Sequence, residues 1–110
     1  MFENTKKRKI DQDVKDLLPI EVINGIWSTL KQMKKDQILI TPVVAFVFSD
    51  DSTDDEIYVM GLQNSGAIAQ EYTIKYSGEK DFLGKGTIVV VSDRPKAITM
   101  KFSELNEDKK

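Results

Sequence analysis

Five acidic side chains fall within seven residues: Asp50, Asp51, Asp54, Asp55 and Glu56, separated only by Ser52 and Thr53. Oxygen donors at that density suit a hard cation such as calcium or magnesium. A calcium-binding loop, however, needs acids at alternating positions, a glycine at the sixth and a more distant glutamate, and this stretch matches none of them in register. The same carboxylates suit two other roles. One is an acidic surface offered to a basic partner, including occupation of a groove that otherwise binds nucleic acid. The other is a solubilising hairpin loop that discourages edge pairing.

Catalysis has few other candidates. The chain contains no histidine and no cysteine, which removes the commonest general base, the commonest metal ligand, thiolate chemistry and any disulfide framework. A nucleophile would need aspartate, glutamate or lysine as its base, and no such pair is evident in the spacing. The reading therefore leans away from an enzyme and assigns no catalytic, cofactor or metal-binding residue. Gly84-Lys85-Gly86-Thr87 superficially resembles a phosphate-binding loop. Its spacing from Gly78 is one residue too long, and a strand follows where that geometry needs a helix N-terminus. Two large apolar residues in the same loop, Phe82 and Leu83, either tuck onto the core or mark a contact patch.

The run Lys6-Lys7-Arg8-Lys9 could bind phosphate, but Asp11, Asp13 and Asp16 follow it and offset its charge. Tyr72, Tyr76 and Phe102 could stack bases, yet few cations frame them, so nucleic acid is an unlikely partner. Formal charge is −2, which gives no electrostatic steer toward polyanions.

These residues need a scaffold. Ile20, Val22, Ile23, Ile26, Trp27, Leu30 and Met33 recur at spacings of three and four. At about 100° per residue they form one apolar stripe, predicting a helix over 19–35 that buries one face. Val43 to Phe48 is a continuous apolar run. It predicts a strand covered on both faces, or covered on one and paired with another chain on the other. Further strands are expected at Glu56 to Leu62, from Ile68 to Tyr76, at Thr87 to Ser92 and at Ala97 to Phe102, joined by turn-forming residues. The fold class is α+β: one N-terminal amphipathic helix packed on a mainly antiparallel sheet of about five strands. The expected organisation is a polar N-terminal arm at 1–16, a single α+β domain at 17–105 and a charged tail at 106–110.

Several short stretches resemble a small bacterial family known only as domain of unknown function 960. They are the Met1-Phe2 opening, Leu18-Pro19-Ile-Glu-Val-Ile leading into the helix with Trp27, Gln70-Glu71-Tyr72, and Thr99-Met-Lys-Phe-Ser-Glu-Leu105. The resemblance implies a helix packed on a β-sheet and no activity.

The functional expectation is a small cytosolic protein-interaction module that binds and occupies a partner protein surface. Its contact residues are expected to be Asp50, Asp51, Asp54, Asp55, Glu56, Phe82 and Leu83. Alternatives are a metal-dependent ligand binder or enzyme using the Asp50 to Glu56 carboxylates, and a self-associating structural protein. That last one would be a homodimer joined through the uncovered side of Val43 to Phe48 or through an open sheet edge. Cytoplasmic location is expected because Met1 to Ile10 lacks the apolar centre of a signal peptide and no run is long enough to span a bilayer. Lysine outnumbers arginine 14 to 2, the coding bias of low-GC bacteria and their phages, so a phage or plasmid gene is a natural source.

Overall fold

The computed structural model describes residues 6–39, 41–83 and 88–102, with Asp50 and Ser65 described by backbone alone. The Gly84 to Thr87 stretch and the charged tail at 106–110 lie outside the described residues.

The predicted helix is present as Ile20–Lys35, here α2. Its stripe is buried at Val22, Ile23, Ile26, Trp27, Leu30 and Met33, each contributing roughly 1.5–3 kcal/mol of transfer free energy. Ile20, counted in the stripe by its spacing, is 60% exposed. It sits about 90° from the stripe's centre on the wheel, at the rim rather than on the buried face. Pro19 is the N-cap and accepts from the amides of Val22 and Ile23. At the other end, Gln37 adopts a left-handed φ of 61°. The Gln37 amide donates to Lys34 and the Ile38 amide to Met33, a doubly bonded C-terminal cap that usually employs glycine.

The sheet has six strands among the described residues, not about five, and two α-helices rather than one. In chain order the strands are β1 (Lys7–Ile10), β2 (Val43–Ser52), β3 (Glu56–Gln63), β4 (Ile68–Lys75), β5 (Ile88–Asp93) and β6 (Ala97–Phe102). They lie in the order β1-β6-β5-β2-β3-β4. All pairings are antiparallel except β1 on β6, which is parallel.

The two extra elements fall in the stretch expected to be a polar arm. There, α1 (Gln12–Leu17) follows β1 and buries Val14 completely. Neither element carries enough periodic residues to be visible in sequence. Each is held by tertiary contacts: the Lys6 ammonium is 2.7 Å from the Asp93 carboxylate, and the Asp11 amide donates to the Met100 carbonyl at 2.9 Å.

Side chains on one face of the sheet pack against the helices: Val44, Phe46, Phe48, Ile57, Val59, Ile74, Val89, Val91, Ile98 and Met100. Gln63 is buried among them. Its amide nitrogen donates to the Ile38 carbonyl at 3.1 Å and its amide oxygen accepts from the Thr41 amide at 3.2 Å. Buried polar groups need such partners, and here they tie the α2–β2 connection to the end of β3. Among the described residues, no helix is long and apolar enough to cross a membrane.

Candidate functional site

The expected contact residues separate in the structure. Strand β2 continues to Ser52, so Asp50 and Asp51 belong to a strand end and the turn is reduced to Thr53, Asp54 and Asp55. Asp51, Asp54 and Asp55 are exposed and Glu56 is half-buried; the Asp50 side chain lies outside the described residues. Among the described residues, no three acidic side chains converge into a group suited to a metal ion. The Thr53 amide donates to the Glu56 carbonyl at 3.0 Å, the Tyr76 amide to the Asp55 carbonyl at 2.8 Å, and the Thr53 hydroxyl accepts from the Asp55 amide at 3.3 Å.

Phe82 is only 3% exposed. It packs edge-on to Phe48 with centroids 5.8 Å apart and lies 6.2 Å from Tyr76. That burial removes Phe82 from any surface contact, and Leu83 packs half-buried beside the core. Burying the Phe82 ring offsets part of the cost of ordering the loop that carries it.

A different surface emerges from strand alternation. Side chains at successive strand positions point to opposite faces, and both helices lie on one face. On β2, Val44, Phe46 and Phe48 are buried, whereas Val43 is 46% exposed and Ala45 and Val47 are partly exposed. Of the two environments open to Val43 to Phe48, the described residues supply cover on one face only. Cross-strand partners extend the bare face. Leu62 lies opposite Ala45 and Met60 opposite Val47 on β3, and Val90 lies opposite Ala45 and Ile88 opposite Val47 on β5. All four, with Tyr58, are partly exposed. Near Pro42 the face dips into a depression of about 430 Å³ lined by Val43, Ala45 and Leu62.

One margin of this face is cationic. Lys9 stands beside Thr99 and Lys101 beside Val90. With Lys7, Arg8, Lys15, Arg94 and a single carboxylate, Asp11, they line an open groove of about 700 Å³. Arg8, on the helix side of the same strand, sits 4.7 Å above the Trp27 ring, a favourable cation–π placement. The basic run of the sequence is thus neither a free terminus nor a uniform patch: alternation splits it between the two faces.

At the opposite margin, α2 and β4 form a second groove of about 560 Å³. Its helix side carries Glu21, Asn24, Gly25, Ser28, Thr29 and Gln32, and its strand side Tyr72 to Lys75. Gly25 is required there, because a Cβ would lie 2.5 Å from the Ile74 Cγ2. Burial raises the Tyr72 phenol above its ordinary value of 10.0, and the Asp36 carboxylate adds to the shift.

Sequence reasoning singled out none of Tyr58, Met60, Leu62, Ile88 and Val90 as contact residues. The signal was present: β3 and β5 are apolar at both parities, which a sheet with only one covered face does not need.

No protein-family model matches the chain, and no curated protein matches it. Among solved structures, it is similar to the crystal structure of a protein of unknown function from Enterococcus faecalis. The TM-score is 0.72 at 17% identity, over 91% of this chain and 92% of that one. This likeness shows the fold.

Proposed function

We propose that the protein is a small interaction module that acts by occupying a partner protein surface, and that it does so with the uncovered face of its sheet. The observation carrying this reading is the row of partly exposed apolar side chains centred on Ala45, Val47, Met60 and Val90, with no element laid over them among the described residues. A contiguous apolar area of this kind is the usual mark of a protein contact. The cationic margin at Lys7, Lys9 and Lys101 defines the partner's chemistry: an apolar surface bordered by acidic side chains where it meets β1 and β6.

Affinity capture with paired variants tests it. Replacing Val47 and Val90 together with lysine places charge in the middle of the face without touching the core side. Proteins retained by the wild type and lost from this double variant, at unchanged far-UV circular dichroism, support the reading. Reversing Asp51, Asp54 and Asp55 to lysine is the opposing arm and leaves capture unchanged. Loss of capture in that arm alone transfers the contact to the acidic turn and overturns the reading.

A further inference from the structure

Strand β4 ends the sheet, and among the described residues nothing pairs with its outer rim. The phase of its free backbone groups follows from one bond. The Tyr76 amide donates to the Asp55 carbonyl at 2.8 Å, and these two residues continue the β3–β4 register. In an antiparallel ladder, directly opposed residues alternate between bonded and non-bonded pairs. Ile68, Gln70, Tyr72 and Ile74 therefore bond to β3. Ala69, Glu71, Thr73 and Lys75 direct their N–H and C=O groups outward. Eight residues of regular strand, with no proline and no bulge, present that rim.

We infer that this edge pairs with the same edge of a second copy, antiparallel about a two-fold axis at Thr73. Two constraints narrow the register, and charge pairing selects among the centres they allow. Continuity of both faces requires odd residues to oppose odd residues, and the outward-pointing residues must form the bonded pairs. Centring on Glu71 sets two like charges against each other. Centring on Tyr72 leaves Glu71 opposite Thr73 and Lys75 opposite Ala69. Centring on Thr73 places Glu71 opposite the second copy's Lys75, and the symmetry repeats that pair on the other side. It also places Tyr72 opposite Ile74 on the helix face. On the helix wall above the edge, Asn24, Ser28 and Gln32 are uncharged and Glu21 carries the one charge among the helix residues lining the groove, so the register rests on the strand pairing alone. The result is a continuous sheet of two copies, whose apolar outer faces are separated by the paired Glu71, Thr73 and Lys75 of the two β4 strands.

Sedimentation velocity and multi-angle light scattering from about 1 to 200 µM test the inference, since dimer population depends on protomer concentration. The wild type reaches twice the 12.5 kDa chain mass. Thr73→Pro removes an outward N–H that β3 does not use, so it gives a monomer with an unchanged circular dichroism spectrum. Glu71→Lys and Lys75→Glu each weaken association about 10- to 30-fold, because each puts like charges in both symmetric pairs. The double variant Glu71→Lys/Lys75→Glu restores the opposite pairing and returns to within a few-fold of the wild type. A wild type that stays monomeric throughout overturns the inference. A dimer indifferent to Thr73→Pro overturns the edge, and one that the double variant fails to restore overturns the register.

Discussion

At one margin of the sheet β1 spans four residues, three of them cationic; at the other β4 spans eight and carries one charge of each sign. Short length and dense like charge are the means by which proteins keep strand edges from pairing. β1 has both. It is also fastened inward, through Lys6 to Asp93 and through Arg8 to the Trp27 ring. β4 has neither protection, and its Glu71 and Lys75 are spaced so that an inverted copy of itself neutralises both. The contrast indicates that one edge is closed by charge and the other left open to a partner. A copy added at that edge extends the sheet and leaves the apolar outer face between the two margins for a different protein contact.

The sharpest way to break this contrast, beyond the proline at Thr73, is to unfasten the protected edge. Asp93→Ala removes the acceptor of the Lys6 ammonium, a charged hydrogen bond worth about 1.5–3 kcal/mol. Urea unfolding is expected to show that loss, and hydrogen exchange to show β1 amides opening before those of β2. Gly25→Ala acts at the other margin. Overpacking against Ile74 costs about 1–3 kcal/mol and helix propensity returns up to about 1 kcal/mol. The expected net loss is about 1–2 kcal/mol by thermal unfolding, with weakened association because α2 is displaced from β4.

Making the edges alike gives a smaller effect. Lys7→Thr with Lys9→Thr leaves stability within about 0.5 kcal/mol, as exposed substitutions usually do. Light scattering is expected to rise with concentration, because the charge that blocks edge pairing is gone. The smallest effect belongs to Tyr72. Its folded-state pKa lies above 10.0, so below that pH both states carry the neutral phenol and the group adds no pH dependence. Above it the unfolded chain ionises first, and stability falls as pH rises. Tyr72→Phe is expected to flatten the alkaline limb of a plot of melting temperature against pH.

Sequence pattern alone determined the α+β class and the spans of α2, β3, β4 and β6 to within a residue at each end. Each is written in residues close together in the chain, where a period of 3.6 or 2 repeats often enough to be read. What covers the second face of Val43 to Phe48 was legible only as a fork, since local pattern records that both faces are apolar and not what lies over them. β1 and α1 escaped notice because four and six residues carry too little periodicity. Their positions come from contacts with Asp93, Met100 and Trp27, which lie anywhere from nineteen to nearly ninety positions away in the chain. Phe82 could be read either way from its loop, and packing against Phe48 decided it. Only the tertiary structure identified which strands end the sheet and which face stays bare. Those properties depend on strand order, and strand order is set by long-range pairing that no local repeat encodes.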